Sequence, residues 1–139
     1  MSTGIDSIEI RTPGRGFQNI SQHLQDAVQK SGVKDGLCNV FLKHTSASLL
    51  ITENADPDVR IDLENWITKI APDGDPAYIH SMEGPDDMPA HIRSVLTASE
   101  LTIPVRNGRL ALGTWQGAYL WEHRTRPHHR RLDITIIGL

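Results

Sequence analysis

The apolar pattern of this 139-residue chain never settles into strand–helix–strand–helix alternation, and that restricts its fold more than any other feature. Residues 5–11 alternate apolar and polar, as a half-buried strand does. The stretch 13–16, Pro-Gly-Arg-Gly, reads as a loop. A helical period follows over 20–30, where Ile20, Leu24, Ala27 and Val28 share a face; Asn19 and Gln22 offer a capping box and Gly32 a stop. Leu37–Lys43, rich in apolar and β-favouring residues, reads as a largely buried strand, and Leu49–Thr52 as a second strand. Asp56-Pro57 opens a second helix whose buried face is expected to carry Val59, Leu63, Trp66, Ile67 and Ile70, ending at Pro72. Asp73–Asp87 is a long Gly-, Pro- and Asp-rich loop. Asp87 is a possible cap for a third, shorter helix with Ile92, Val95 and Leu96 on one face. After residue 100 the pattern is all strand: 101–106 and 109–115 joined by Asn107-Gly108, a pair suited to both positive φ angles of a type I′ turn, then 118–122 and 132–137. The expected order is β-α-β-β-α-α-β-β-β-β. That order implies an α+β fold, a mostly antiparallel sheet with helices on one side, in a single domain over residues 1–139.

The totals exclude several classes. A hydrophobic share of 38% and a charged share of 22% suit a folded globular domain. A net charge of −3 argues against a sequence-independent nucleic-acid binder, which needs a basic surface. No apolar run approaches the roughly 20 residues that cross a bilayer, so no membrane association is expected. The start, Met1 to Asp6, carries neither a basic nor an apolar leader segment, and the lone Cys38 cannot form an internal disulfide. A cytoplasmic protein is expected.

Among the seven histidines, His44, His80 and His91 stand at element boundaries beside turn residues, where a ligand site can be assembled from distant segments. Each can equally be a structural histidine held by hydrogen bonds. Glu83, Asp86 and Asp87 lie between His80 and His91. Such a carboxylate cluster is costly unless a cation, hydrogen bonds or a raised pKa relieves it, although Asp87 can also simply cap its helix. Gly113-Thr114-Trp115-Gln116-Gly117 suggests a bulge or close backbone approach that aims polar side chains at a ligand, with Trp115 open to a core reading. Arg124, Arg126, Arg130 and Arg131 form the one basic run, fit for phosphate or for a solvated loop. Ser46 and Ser48 beside His44 lack the Gly-x-Ser-x-Gly context of a nucleophilic serine, and no Gly-rich nucleotide fingerprint occurs.

The blocks His44-Thr45-Ser46-Ala47-Ser48, Glu53-Asn54-Ala55-Asp56-Pro57, Tyr78-Ile79-His80 with Glu83-Gly84, Asp86-Asp87-Met88-Pro89-Ala90-His91-Ile92 and Gly113-Thr114-Trp115-Gln116 occur in an order that resembles the secondary thiamine-phosphate synthase (YjbQ-like) family. Ser81 stands where many relatives carry an acidic residue. The resemblance implies a compact α+β subunit that assembles as a trimer, with His44, His80 and His91 as metal ligands. It also implies the joining of a pyrimidine methyl diphosphate to a thiazole phosphate with loss of diphosphate, as a secondary activity.

On that basis the expected function is a metal-dependent transferase acting on a small phosphorylated substrate. Glu83 or Asp86 would complete or orient the metal shell, Thr114 and Gln116 would position substrate, and Arg124 or Arg130 would hold phosphate. Three neutral imidazoles suit a zinc-like ion better than magnesium. A zinc-type hydrolase and a non-enzymatic metal-binding trimer are the alternatives.

Overall fold

The computed structural model describes residues 3–139; the Met1-Ser2 part of the leader reading lies outside them. The elements are β1 (Thr3–Thr12), β2 (Gly16–Asn19), α1 (Ser21–Ser31), β3 (Gly36–Leu42), β4 (Ala47–Glu53), α2 (Pro57–Ile70), α3 (Asp87–Leu96), β5 (Glu100–Arg106), β6 (Arg109–Leu110), β7 (Gln116–Glu122) and β8 (His128–Gly138). They form two sheets, β1-β8-β3-β5-β6 and β2-β7-β4, and every paired strand is antiparallel. The α+β reading holds, with one strand more than expected. β2 is short and half-buried, and its register on β7 makes it a strand where the glycines alone read as loop.

The core lies between the larger sheet, the inner face of β4 and β7, and α1. Val40 and Leu42 of β3, Leu132, Ile134 and Ile136 of β8, Leu49 of β4, Leu120 of β7 and Leu24 and Val28 of α1 meet there. β3 and β8 bury alternate residues, as strands with one wet face must. β7 buries nearly every residue because its second face lies beneath the helical layer: Trp121 donates its Nε1–H to Glu64 of α2, and Ser94 of α3 donates to the carbonyl of Ala47. β8 is longer than its apolar stretch suggests. The His- and Arg-rich residues 128–131 pair with β1 instead of looping.

Local chemistry explains most element ends. Asp56 accepts from Asp58 N–H at 3.0 Å with Pro57 in the first turn, and Gly32 closes α1 at φ 73°. The Asn19/Gln22 capping box does not form. Asn19 accepts from Ser21 N–H, but Gln22 turns to Asp26. Asn107 and Gly108 both have positive φ, as the hairpin requires. The second hairpin strand stops at Leu110 instead of running on to Trp115.

The expected helix faces need correction. Of the apolar stripe on α2 only Ile67 is buried, while Trp66 and Ile70 face outward. On α3, Val95 and Leu96 are exposed and the buried face is Asp87, Pro89, Ala90 and Arg93. No helix is long and apolar enough to cross a membrane among the described residues.

Candidate metal centre

Asp87 and His91 stand one turn apart on α3, so both side chains project from one face of the helix. The loop before α3 is pinned by backbone bonds from Gly74 N–H to Pro85 C=O and from Gly84 N–H to Ser81 C=O. It brings His80 onto the same spot. His80 Nε2 lies 2.7 Å and His91 Nε2 3.1 Å from the same carboxylate oxygen, Asp87 Oδ2, and the two rings are 5.4 Å apart. One ligand atom from each of the three residues falls within 4.8 Å of the others. A hollow of about 410 Å³, lined by His80, Asp75, Tyr78 and Ser81 among others, opens beside the group.

The hydrogen bonds fix what each group can do. His91 Nδ1 lies 2.8 Å from the carbonyl of Thr45, so it must carry a proton there. A neutral ring then has only a lone pair at Nε2, and that lone pair faces a carboxylate oxygen. Either the ring takes a second proton or a cation lies between the two. A carbonyl behind a ligating histidine is also the usual way in which ring orientation and tautomer are set. Asp87 Oδ1 accepts from Arg124 Nη1 at 2.8 Å, leaving Oδ2 to the histidines. Burial pushes the Asp87 carboxyl up, but the bond from His80 and the charges of His91 and Arg124 outweigh it and hold it below the usual range. Asp86 is likewise held low: the Thr125 N–H, Arg124 and the Thr125 hydroxyl overcome its burial.

The structure redistributes the expected site residues. His80 and His91 come together; His44 does not join them within this chain. Its Nε2 accepts the backbone N–H of Arg131 at 2.8 Å, which occupies the lone pair a metal would need and leaves the proton on Nδ1. Asp87, read as one of the three clustered carboxylates or as a simple cap, takes the third position, while the residue preceding α3, Asp86, makes no capping bond. The signal was present as Asp-x-x-x-His on a helix. Asp86 is spent on Arg124 and Thr125. Glu83 is exposed, and its backbone carbonyl accepts from Arg124.

The phosphate-binding expectation for Arg124 and Arg130 does not fit their surroundings. Arg124 already reaches Asp86, Asp87 and the Glu83 carbonyl. Arg130 is 3% exposed, with Nε 2.7 Å from Glu122 and Nη2 on Glu122 and Ser46. Both are internal clamps. Thr114 and Gln116 sit at the far end of β7 from Glu122, six residues or roughly 20 Å along the strand. There Asn54 donates to the carbonyls of Thr114 and Gln116, Gln116 accepts from Gly113 N–H, and Trp115 is left 65% exposed. Gly117, the second residue of β7, packs closely beside this turn, since a Cβ there would meet the Tyr119 ring at 2.9 Å.

Ser48 does find a histidine, though not His44. It bonds His123 Nε2 at 2.8 Å, but both residues are fully buried and His123 Nδ1 has no partner to orient it, so no nucleophile is presented. Burial, together with the charges of Arg93, Arg15 and Arg130, pulls His123 down to about 3.

Comparison with known proteins supplies the context. A family model described as UPF0047 protein YjbQ-like matches residues 6–139. A UPF0047 protein from Synechocystis is 55% identical over 129 residues, covering 93% of this chain and 88% of that one. The YjbQ protein of Salmonella typhimurium is 45% identical over 135 residues, covering 95% and 96%. Among solved structures, an uncharacterised YjbQ/UPF0047 protein from Clostridium acetobutylicum superposes with a TM-score of 0.85 at 38% identity, over 95% of this chain and 99% of that one. A conserved hypothetical protein from Thermus thermophilus gives 0.86 at 33%, with the same coverage.

Proposed function

The chain belongs to the YjbQ-like UPF0047 family, and from that premise we propose that it is a metal-dependent enzyme in which His80, Asp87 and His91 hold one divalent cation. The observation that carries this reading is His91, whose two ring nitrogens both face acceptors. Two imidazoles and one carboxylate are the donor set of zinc-type catalytic sites and of non-haem iron sites. They are too rich in nitrogen for magnesium or calcium. A structural zinc site takes four protein ligands, whereas only three residues converge here among the described residues. The open side favours an enzyme over a scaffold.

When bound, such a cation supplies Lewis acidity to a water or a substrate oxygen. The protein does the rest. Thr45 sets the His91 tautomer, Arg124 fixes Asp87, and Asp86 with Thr125 fixes Arg124. The hollow beside His80 gives a small substrate room. Hydrolysis of a small ester or anhydride suits this donor set best. The sequence resemblance supports a second reading, thiamine-phosphate synthesis with loss of diphosphate. Against it, Arg124 and Arg130 are already committed, so the metal alone would have to neutralise the leaving group.

We also propose that the subunit works as a trimer in the cytoplasm. What supports it is that Trp66, Ile70 and Val95, apolar residues on the helices, stand exposed to water on an isolated chain.

Elemental analysis tests the centre: about one zinc-type ion per chain is expected, lost in His80→Ala and His91→Ala while the fold persists. Stoichiometric metal in both variants would sink the assignment. Assaying the loaded protein for ester hydrolysis and for thiamine phosphate formation separates the two chemistries.

A further inference from the structure

The basic run that looked like one cluster in the sequence is divided by the fold. Arg124 and Arg130 point inward to carboxylates, but Arg11, Arg126 and Arg131 have no carboxylate within ion-pair distance among the described residues. The β1–β8 register sets Arg11 directly opposite His129 and Glu9 opposite Arg131. Arg11 and Arg131 are therefore diagonal neighbours on the same exposed face, roughly 7–8 Å apart. Glu9, the carboxylate of this stretch, is held by His129 at 2.5 Å. At the strand ends a hollow of about 510 Å³ opens, lined by Arg11, Thr12, Pro13, Pro127, His128 and His129. His128 Nδ1 donates to the carbonyl of Arg126 at 2.8 Å, which fixes the ring and leaves Nε2 free. Burial holds nearby His44 below its ordinary pKa, and the charges of Arg130, His128 and Arg131 add to that against the opposing charge of Glu122.

We infer that this hollow is a second, metal-independent site for a small anion carrying a phosphate monoester, with Arg11 of its lining as principal ligand and Arg131, the diagonal neighbour of Arg11, beside it. Two guanidinium forks match a phosphate dianion, which can accept several charge-assisted bonds at once. The patch covers only the ends of two strands, too short a track for the successive phosphates of a nucleic acid. It leaves the proposed metal centre untouched, since Arg124 of the same loop faces the other way, toward Asp86 and Asp87.

Titrating the whole protein with glycerol phosphate, followed by amide NMR shifts, tests this. Saturable shifts at Arg11, His128 and His129 are expected, unchanged by a metal chelator and absent with chloride. The exposed-site variant carrying Arg11→Gln and Arg131→Gln should bind at least about tenfold more weakly, the loss of one or more charged hydrogen bonds. A control carrying Arg106→Gln and Arg109→Gln on the β5–β6 hairpin should bind as the natural chain does. Loss of binding on chelation would mean that the anion sits on the metal, which overturns this inference while supporting the metal centre. An equal response in the control variant, or tighter and steeply salt-dependent binding of an oligonucleotide, would overturn it as well.

Discussion

Replacing Glu122 by glutamine removes the one carboxylate that balances Arg130 inside the protein. Glu122 is fully buried and Arg130 is 3% exposed, so water screens neither. The carboxylate accepts from Arg130 Nε and Nη2, from the Thr12 hydroxyl at 2.7 Å and from the N–H groups of His123 and Arg124 at 3.1 Å. Removing one member of such a pair strands the other charge, which costs about 3–5 kcal/mol. Glutamine keeps the shape and some of the acceptor bonds, so the lower end, about 3 kcal/mol, is expected. For a chain of this size that is a fall in Tm of roughly 10 °C. Urea melts of Glu122→Gln, and of Glu122→Leu combined with Arg130→Met, provide the assay. The double variant removes both charges and is expected to recover most of the loss, because a well-packed apolar pair can equal a buried ion pair. Arg130 also donates to the carbonyl and hydroxyl of Ser46, next to the Thr45 carbonyl that orients His91. The single variant should therefore weaken metal binding by about tenfold or more, as loosened supports of a ligand do. A Glu122→Gln protein within about 1 kcal/mol of the natural chain would refute the buried-clamp account of Arg130.

The remaining expectations are shorter. Asp87→Asn should lose bound metal as His91→Ala does, whereas His44→Ala should keep it, since the His44 lone pair is already taken by Arg131 N–H; elemental analysis of the three decides. Stability should fall as the pH drops from 6.5 toward 3. Over that window the unfolded chain protonates residue 123 while the folded chain, with His123 near 3, does not, so the unfolded state binds more protons, at up to about 1.4 kcal/mol per pH unit. His123→Asn should flatten that slope in acid-dependent melts, and an unchanged slope would count against the burial argument. Below the ordinary carboxylate range a further loss is expected as Asp86 and Asp87, both held low, take up protons that the unfolded chain already carries. Trp66→Glu with Ile70→Glu should turn a trimer into monomers of unchanged circular dichroism; light scattering that finds the natural chain monomeric would remove the trimer.

The fold was legible wherever one face of an element meets the core and the other meets water. The stripe of α1, the alternation of β1 and the Asn107-Gly108 turn each carry their own local signal, whereas the apolar run of β3 reads as largely buried although Leu37 and Phe41 stand exposed on its outer face. α2 misled because Trp66 and Ile70 are apolar at helical spacing yet point outward, and periodicity cannot say what covers a stripe. The site was half legible. His80 and His91 were found as types suited to metal, but His44 has the same chemistry, and only the Arg131 N–H resting on its ring takes it away. Arg124 and Arg130 are indistinguishable from Arg126 and Arg131 in a string of residues.

The sequence by itself determined the class of the fold, the element order apart from β2, the two central histidines and the loop that carries one of them. These depend on spacing along the chain and on residue type, which the string contains. Tertiary structure alone decided that Asp87 rather than His44 faces the two imidazoles, which arginines turn inward, and that the Thr114–Gln116 turn lies at the opposite end of β7 from Glu122. Those outcomes depend on which face of a strand or helix meets which neighbour, and antiparallel pairing between residues more than a hundred positions apart sets that.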